Sequence, residues 1–156
     1  MAEPKKPPAD LVADRVVATA RVFTAPCQEV FATFSDPARL AQWWGPRGFR
    51  NSIGEFDFRP GGTWRLTMAA PDGNRYPNHW IFREIVAPAR LVLEHVDAIH
   101  SFEREIRLAA HGAGTRLNWR MTFATVAECT RVRALVTVAN EESLDRLDHH
   151  LSTHQS

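Results

Sequence analysis

The stretch TRLNWRMTF, Thr115–Phe123, decides how this chain reads. Leu117, Trp119, Met121 and Phe123 alternate with Arg116, Asn118, Arg120 and Thr122, so a strand here has one apolar and one polar face. The turn HGAG (His111–Gly114) precedes it, and before the turn Phe102, Arg104, Ile106 and Leu108 alternate in the same way. That pattern predicts an antiparallel hairpin. After Ala124 the period changes. Val132, Val136, Ala139 or Asn140, Ser143 or Leu144, Leu147 and Leu151 follow a helical stripe with no glycine or proline to interrupt it.

Further back the period stays at two. In EFDFRPGGTWRLTM, Phe56 and Phe58 alternate, Pro60-Gly61-Gly62 turns, and Trp64, Leu66 and Met68 alternate again. PDGN (Pro71–Asn74) is a second turn; HWIFREIV follows, Pro88 breaks it, and RLVLEHV is the next run. Near the start, RVVATARVF (Arg15–Phe23) is a β-branched strand, and PCQEVFATFS places Val30, Phe31 and Phe34 on a helical stripe. Asp36-Pro37 then opens a second short helix with Asp as N-cap. Its apolar residues are Leu40, Trp43 and Trp44, and Gly45-Pro46 ends it.

The expected fold is therefore α+β. A curved antiparallel sheet of about seven strands surrounds one long C-terminal helix, with two short helices between the first and second strands. Residues 1–13, rich in proline and lysine, read as a disordered lead; 14–152 read as one domain and 153–156 as a tail. A formal net charge of +1 gives no field that advertises nucleic acid as a partner. No run of 18 apolar residues is present to span a membrane, and MAEPKKPPAD has no apolar core for a secretory signal. Two cysteines, Cys27 and Cys129, without a CxxC pair point to a reducing cytoplasm.

The ordered series DPARLAQWWGP, RPGG, YPN, GTRL and LDRL, set within Arg15 to Leu151, resembles the activator-of-Hsp90-ATPase-like family. That family belongs to the START-like, helix-grip superfamily also labelled SRPBCC. The resemblance implies the helix-grip fold. Relatives in the wider superfamily carry lipids, sterols, hormones or polyketides under the helix, and a few are cyclases or hydrolases. The family also resembles the C-terminal domain of a eukaryotic Hsp90 co-chaperone. No counterpart of that co-chaperone's N-terminal domain is expected in 156 residues, so Hsp90 stimulation is not expected either.

No GxSxG, SxxK, Walker-type loop, GxGxxG or HExxH motif occurs, so no catalytic residue, cofactor or metal is assigned. The candidate site is instead a cavity between sheet and helix, taking a hydrophobic or amphipathic small molecule. Alternation puts Phe56, Phe58, Trp64, Trp80, Phe82, Phe102, Trp119 and Met121 on the concave face. Val136 would face them from the long helix, Asn140 would either add a polar contact there or meet solvent at the edge of the stripe, and Trp43 and Trp44 would cap the open end. Adjacent helical residues diverge by about 100°, so one of the two rings is expected in the core and the other at the rim.

Arg104 is in phase with Phe102 and Ile106, which aims a guanidinium at the apolar side. Either it snorkels to solvent or it needs a carboxylate, with Glu94 and Asp57 as candidates within the chain. His79 is either a polar handle at the cavity mouth or a half-exposed strand residue, and His150 with His154 reads as part of a solvated C-terminus. Two other functions compete with simple binding. One is a cyclase- or hydrolase-type enzyme using His79 with Glu94 or Arg104. The other is an interaction module for a chaperone or a homodimer, built on an exposed Trp43 or Trp44.

Overall fold

β-branched Val16, Val17, Thr19 and Val22 extend the chain into β1 (Val16–Phe23), which Pro26 brings to an end. In the computed structural model, which describes residues 12–96 and 101–153, α1 (Cys27–Ser35) and α2 (Pro37–Trp43) follow. The Asp36 carboxylate accepts a hydrogen bond from the backbone N–H of Ala38 at 3.0 Å, and Pro37 sits in the first turn of α2. The chain then enters β2 (Arg50–Phe56), β3 (Thr63–Ala69), β4 (Arg75–Val86), β5 (Arg90–His95), β6 (Phe102–His111) and β7 (Gly114–Phe123). Helix α3 (Val126–Thr153) closes the fold. The expected lead over residues 1–13 and the expected tail lie mostly outside the described residues; Val12 and Ala13 belong to a 3-10 turn, Val12–Arg15.

The seven strands form one antiparallel sheet in the order β1-β7-β6-β5-β4-β3-β2. Consecutive strands from β2 to β7 are neighbours, and β1 returns to pair with β7. Register shifts at Ile53/Glu55 and at Phe82/Glu84 accommodate an extra residue, which strengthens the local twist and helps the sheet curl. The tight PGG turn before β3 needs a residue without a side chain, because a Cβ on Gly62 would lie 2.0 Å from the Asp57 carbonyl oxygen. The architecture is the expected helix grip, with the core between the concave face and the helices.

Register fixes which side chains reach that core. Arg104 pairs with Leu93 on one side and Met121 on the other, so it faces inward among apolar neighbours. The next residue, Glu105, faces outward and meets Arg90 and Arg107. All five tryptophans are buried, with Trp43 fully enclosed and Trp44 only 3% exposed. Helix α3 is divided around its circumference, with Cys129 at its start already buried. Leu144, Leu147 and Leu151 are buried on the same side, whereas Leu135 and Val138 are exposed on another.

Candidate functional site

Both rings of the Trp43-Trp44 pair point into the core, contrary to the expectation of one inside and one at a rim. The helix ends between them. Trp44 has φ −61° and ψ 137°, an extended conformation that removes it from the helical repeat. The two indoles therefore lie 5.6 Å apart at 63° rather than diverging around a cylinder. Trp43 donates from Nε1 to the Thr33 carbonyl at 3.1 Å, while Trp44 stacks on Trp119 at 5.6 Å and 30°. Gly45 continues the turn with φ 94°, a conformation that favours glycine.

Carbonyls at the end of a helix lack intrahelical partners. Here Asn51 donates to the carbonyls of Ala41 and Trp44 at 3.0 and 2.8 Å. Arg146 of α3 donates to those of Trp44, Gly45 and Pro46 at 2.9, 3.0 and 2.9 Å, and to Gln42 at 3.2 Å. A single guanidinium thus joins the Trp44–Pro46 segment to α3. Burial lowers its pKa from the usual arginine value.

Between that segment, the concave face and α3 lies a pocket of about 190 Å³. Trp44, Trp80 and Phe102 supply aromatic walls; Arg104, Asn78, Asn140 and Ser143 supply polar groups; Met68, Met121 and Val136 fill between them. Arg104 does not snorkel. Its guanidinium carbon lies 4.5 Å from the Trp119 ring centre, 5.1 Å from Trp44, 5.3 Å from Trp80 and 5.9 Å from Phe102. Burial pushes its pKa down to about 9, so it remains a cation at neutral pH.

Neither expected carboxylate reaches it. Glu94 faces the other side of the sheet and accepts from Arg83 Nε at 2.7 Å, while Asp57 accepts from Arg59 Nε at 2.8 Å. Among the described residues no acidic side chain forms an ion pair with Arg104. Its Nη2 meets, among the described residues, only the Met121 sulfur, at 3.2 Å, and its Nε is buried without a hydrogen-bond partner there. The same sulfur lies 3.6 Å from Asn140 Nδ2, which also contacts Thr19 Oγ1 at 3.5 Å. Two N–H donors therefore converge on a weak acceptor. The indole N–H groups of Trp64, Trp80 and Trp119 are likewise buried and unpartnered.

The other candidates fall elsewhere. Trp43, Trp64 and Trp119 stand behind the pocket walls, and Phe56, Phe58 and Phe82 pack together at another part of the concave side. Phe58 lies just beyond β2, in the turn rather than on a strand. His79 is a correction. It alternates with inward-facing Trp80 and lines a convex-face hollow with Arg65 and Thr67, so it cannot work with Arg104 at one point. The polar residue that reaches the pocket from β4 is its neighbour Asn78, whose Oδ1 lies 2.8 Å from His95 Nε2. Sequence reasoning missed both, although Asn78 is two residues from Trp80 and His95 two from Leu93, each in phase with a buried side chain.

His150 is not solvated as expected. It is buried, with Nε2 3.2 Å from Arg39 Nε, and His154 lies outside the described residues. A larger hollow, of about 640 Å³, runs beside β1, β6 and β7 and is bordered by Glu105, Arg107, Arg120 and Arg133. Of these, Arg107 holds Glu105, Arg133 holds the Val16 carbonyl and Arg120 is exposed to solvent, so the hollow has no counterpart of Arg104 withdrawn among rings. No described helix is long and apolar enough to cross a membrane.

Fold and site define a helix-grip domain with a small pocket that is aromatic on one side and donor-bearing on the other. The chain belongs to the Activator of Hsp90 ATPase homolog 1-like protein family, whose model matches residues 24–152. A crystal structure of a Nitrosomonas europaea protein superposes with a TM-score of 0.84 at 21% identity, covering 93% of this chain and 99% of that one. An Arthrobacter aurescens protein gives 0.84 at 23%, covering 92% and 90%. An AHSA1-like protein from Aeromonas hydrophila gives 0.75 at 20%, covering 90% and 97%. At these identities the likeness concerns the fold. The curated proteins include no match to the chain.

Proposed function

We propose that the protein is a small-molecule binding domain whose amphipathic ligand sits in the pocket between Trp44–Pro46, the concave face and α3. One observation carries this reading: Arg104 is a half-buried cation set against four aromatic rings, with no acidic partner among the described residues. Withdrawing even part of a charge from water is unfavourable unless it is paired, and ring faces return only some of that cost. A structural arginine would be expected to have its carboxylate. A binding arginine is expected to lack one until ligand arrives.

Two features support binding rather than the alternatives. His79 and Glu94 lie on the face opposite Arg104, which removes the groups an enzymatic mechanism would have used. Trp43 and Trp44 are buried and offer no aromatic patch to a chaperone or a second copy. The test is a fragment screen read by two-dimensional NMR on the indole N–H resonances. Shifts confined to Trp44, Trp80 and Trp119 are the expected result. A library that perturbs none of them, whatever its charge, would sink the reading.

A further inference from the structure

We infer that the ligand is a compact aromatic monocarboxylate of about benzoate size, its carboxylate held by Arg104 and Asn140 and its ring by Trp44, Trp80 and Phe102. This rests on the small-molecule reading above and narrows it to one chemical class.

Charge comes first. Among the described residues Arg104 is the one charged side chain lining the pocket, so a single negative charge is neutralised there, whereas a phosphate dianion would be left in excess. Geometry comes second. Aromatic rings crowd the guanidinium at 4.5 to 5.9 Å, so its flat faces are covered and its N–H edge is what remains for a polar partner. A planar fork of donors matches the two coplanar oxygens of a carboxylate better than a tetrahedral anion. The acceptor now nearest that edge is the thioether of Met121, toward which Asn140 also directs an N–H. A carboxylate is a far stronger acceptor than a thioether and would draw both donors.

Size and walls set the remainder of the molecule. A dry apolar cavity of about 150 Å³ accepts a benzene ring. The pocket, at about 190 Å³, leaves space for one ring plus a carboxylate but not for a sterol or a lipid chain. Trp44 and Trp80 meet at 90°, so a ring lying flat on one would present its edge to the other, both favoured aromatic arrangements.

The experiment is isothermal titration of the full chain at constant ionic strength with benzoate, benzamide and phenyl phosphate, repeated on Arg104→Met and Arg104→Lys. Benzoate should bind wild type about tenfold to a hundredfold more tightly than benzamide, the range expected of a charge-assisted hydrogen-bonded pair. Arg104→Met should erase that preference while still binding benzamide, and Arg104→Lys should restore only part of it because the fork is lost. A folded Arg104→Met protein, checked by its thermal melt, makes the loss of preference interpretable. Benzamide binding as tightly as benzoate, or a preference that survives in Arg104→Met, overturns the carboxylate assignment and leaves the small-molecule reading standing. Phenyl phosphate binding more tightly than benzoate overturns the monoanion. A wild-type protein that binds none of the three overturns the benzoate-sized assignment, and the NMR screen then decides separately whether any ligand is taken.

Discussion

Arg104 and Glu105 are adjacent on β6 and live in opposite worlds. On the convex side Glu105 receives hydrogen bonds from Arg90 Nε at 2.7 Å and Arg107 Nε at 2.9 Å, and Arg90 also pairs with Glu84. Burial alone would raise the Glu105 pKa, but these arginines outweigh it and hold the carboxyl below its usual range. On the concave side Arg104 has rings, a sulfur and no acid. The convex charges answer one another, so their purpose is internal. The concave charge is answered by nothing acidic among the described residues, and that mismatch is what directs attention to the pocket.

The contrast can be broken at four places. Trp43→Ala should have the largest effect, a loss of about 3–5 kcal/mol, because a fully enclosed ring leaves a cavity behind. Urea denaturation would measure it, and a loss near zero would mean the concave core is looser than described. Arg104→Met should move the other way, gaining on the order of 1 kcal/mol, since an apolar side chain of similar length replaces a half-buried, unpaired cation. A destabilised Arg104→Met would show that the rings alone satisfy the guanidinium, and the two faces would then be alike.

Glu105→Gln should lose on the order of 0.5 kcal/mol, the scale of a solvent-screened pair. The sign follows from its lowered pKa. The stabilisation is full above the unfolded carboxyl value and is lost as pH falls through the lower folded value, so wild type and variant should converge in acid, once the pH is below that folded value. Denaturation midpoints at pH 7 and pH 3 would show it. The smallest effect belongs to His79→Ala, within about 0.5 kcal/mol and without change in fragment binding, as befits a convex-face residue. A binding defect in His79→Ala would contradict the assignment of faces.

Much of this was legible in the chain. Period-two alternation located the strands, and the phase of Arg104 with Phe102 and Ile106 gave its inward direction. The Asp36 cap and the Gly45-Pro46 stop were also read from residue types with fixed local roles. What was not legible depends on backbone geometry or on distant partners. Trp44 leaves the helical repeat by one ψ angle, which no periodicity reports. Whether Glu94 could reach Arg104 depended on which residue of β5 stands opposite it, and that residue is Leu93. Arg146 looks like an ordinary helix-surface arginine until its carbonyl partners come from residues a hundred positions away.

The strand order carries a consequence for timing. Strands β2 to β7 add to one another hairpin by hairpin, each closure spanning a short loop, whereas β1 pairs with β7, from Val16 opposite Thr122 to Phe23 opposite Thr115. Long-range closure is slow because its entropy is spent before its contacts form. During synthesis the first strand must wait, with α1, α2 and the tryptophan pair, until the last strand exists to receive it. Helix α3 is made later still. The pocket draws on α2's end, the middle of the sheet and α3, so its walls are brought together only at the close of folding.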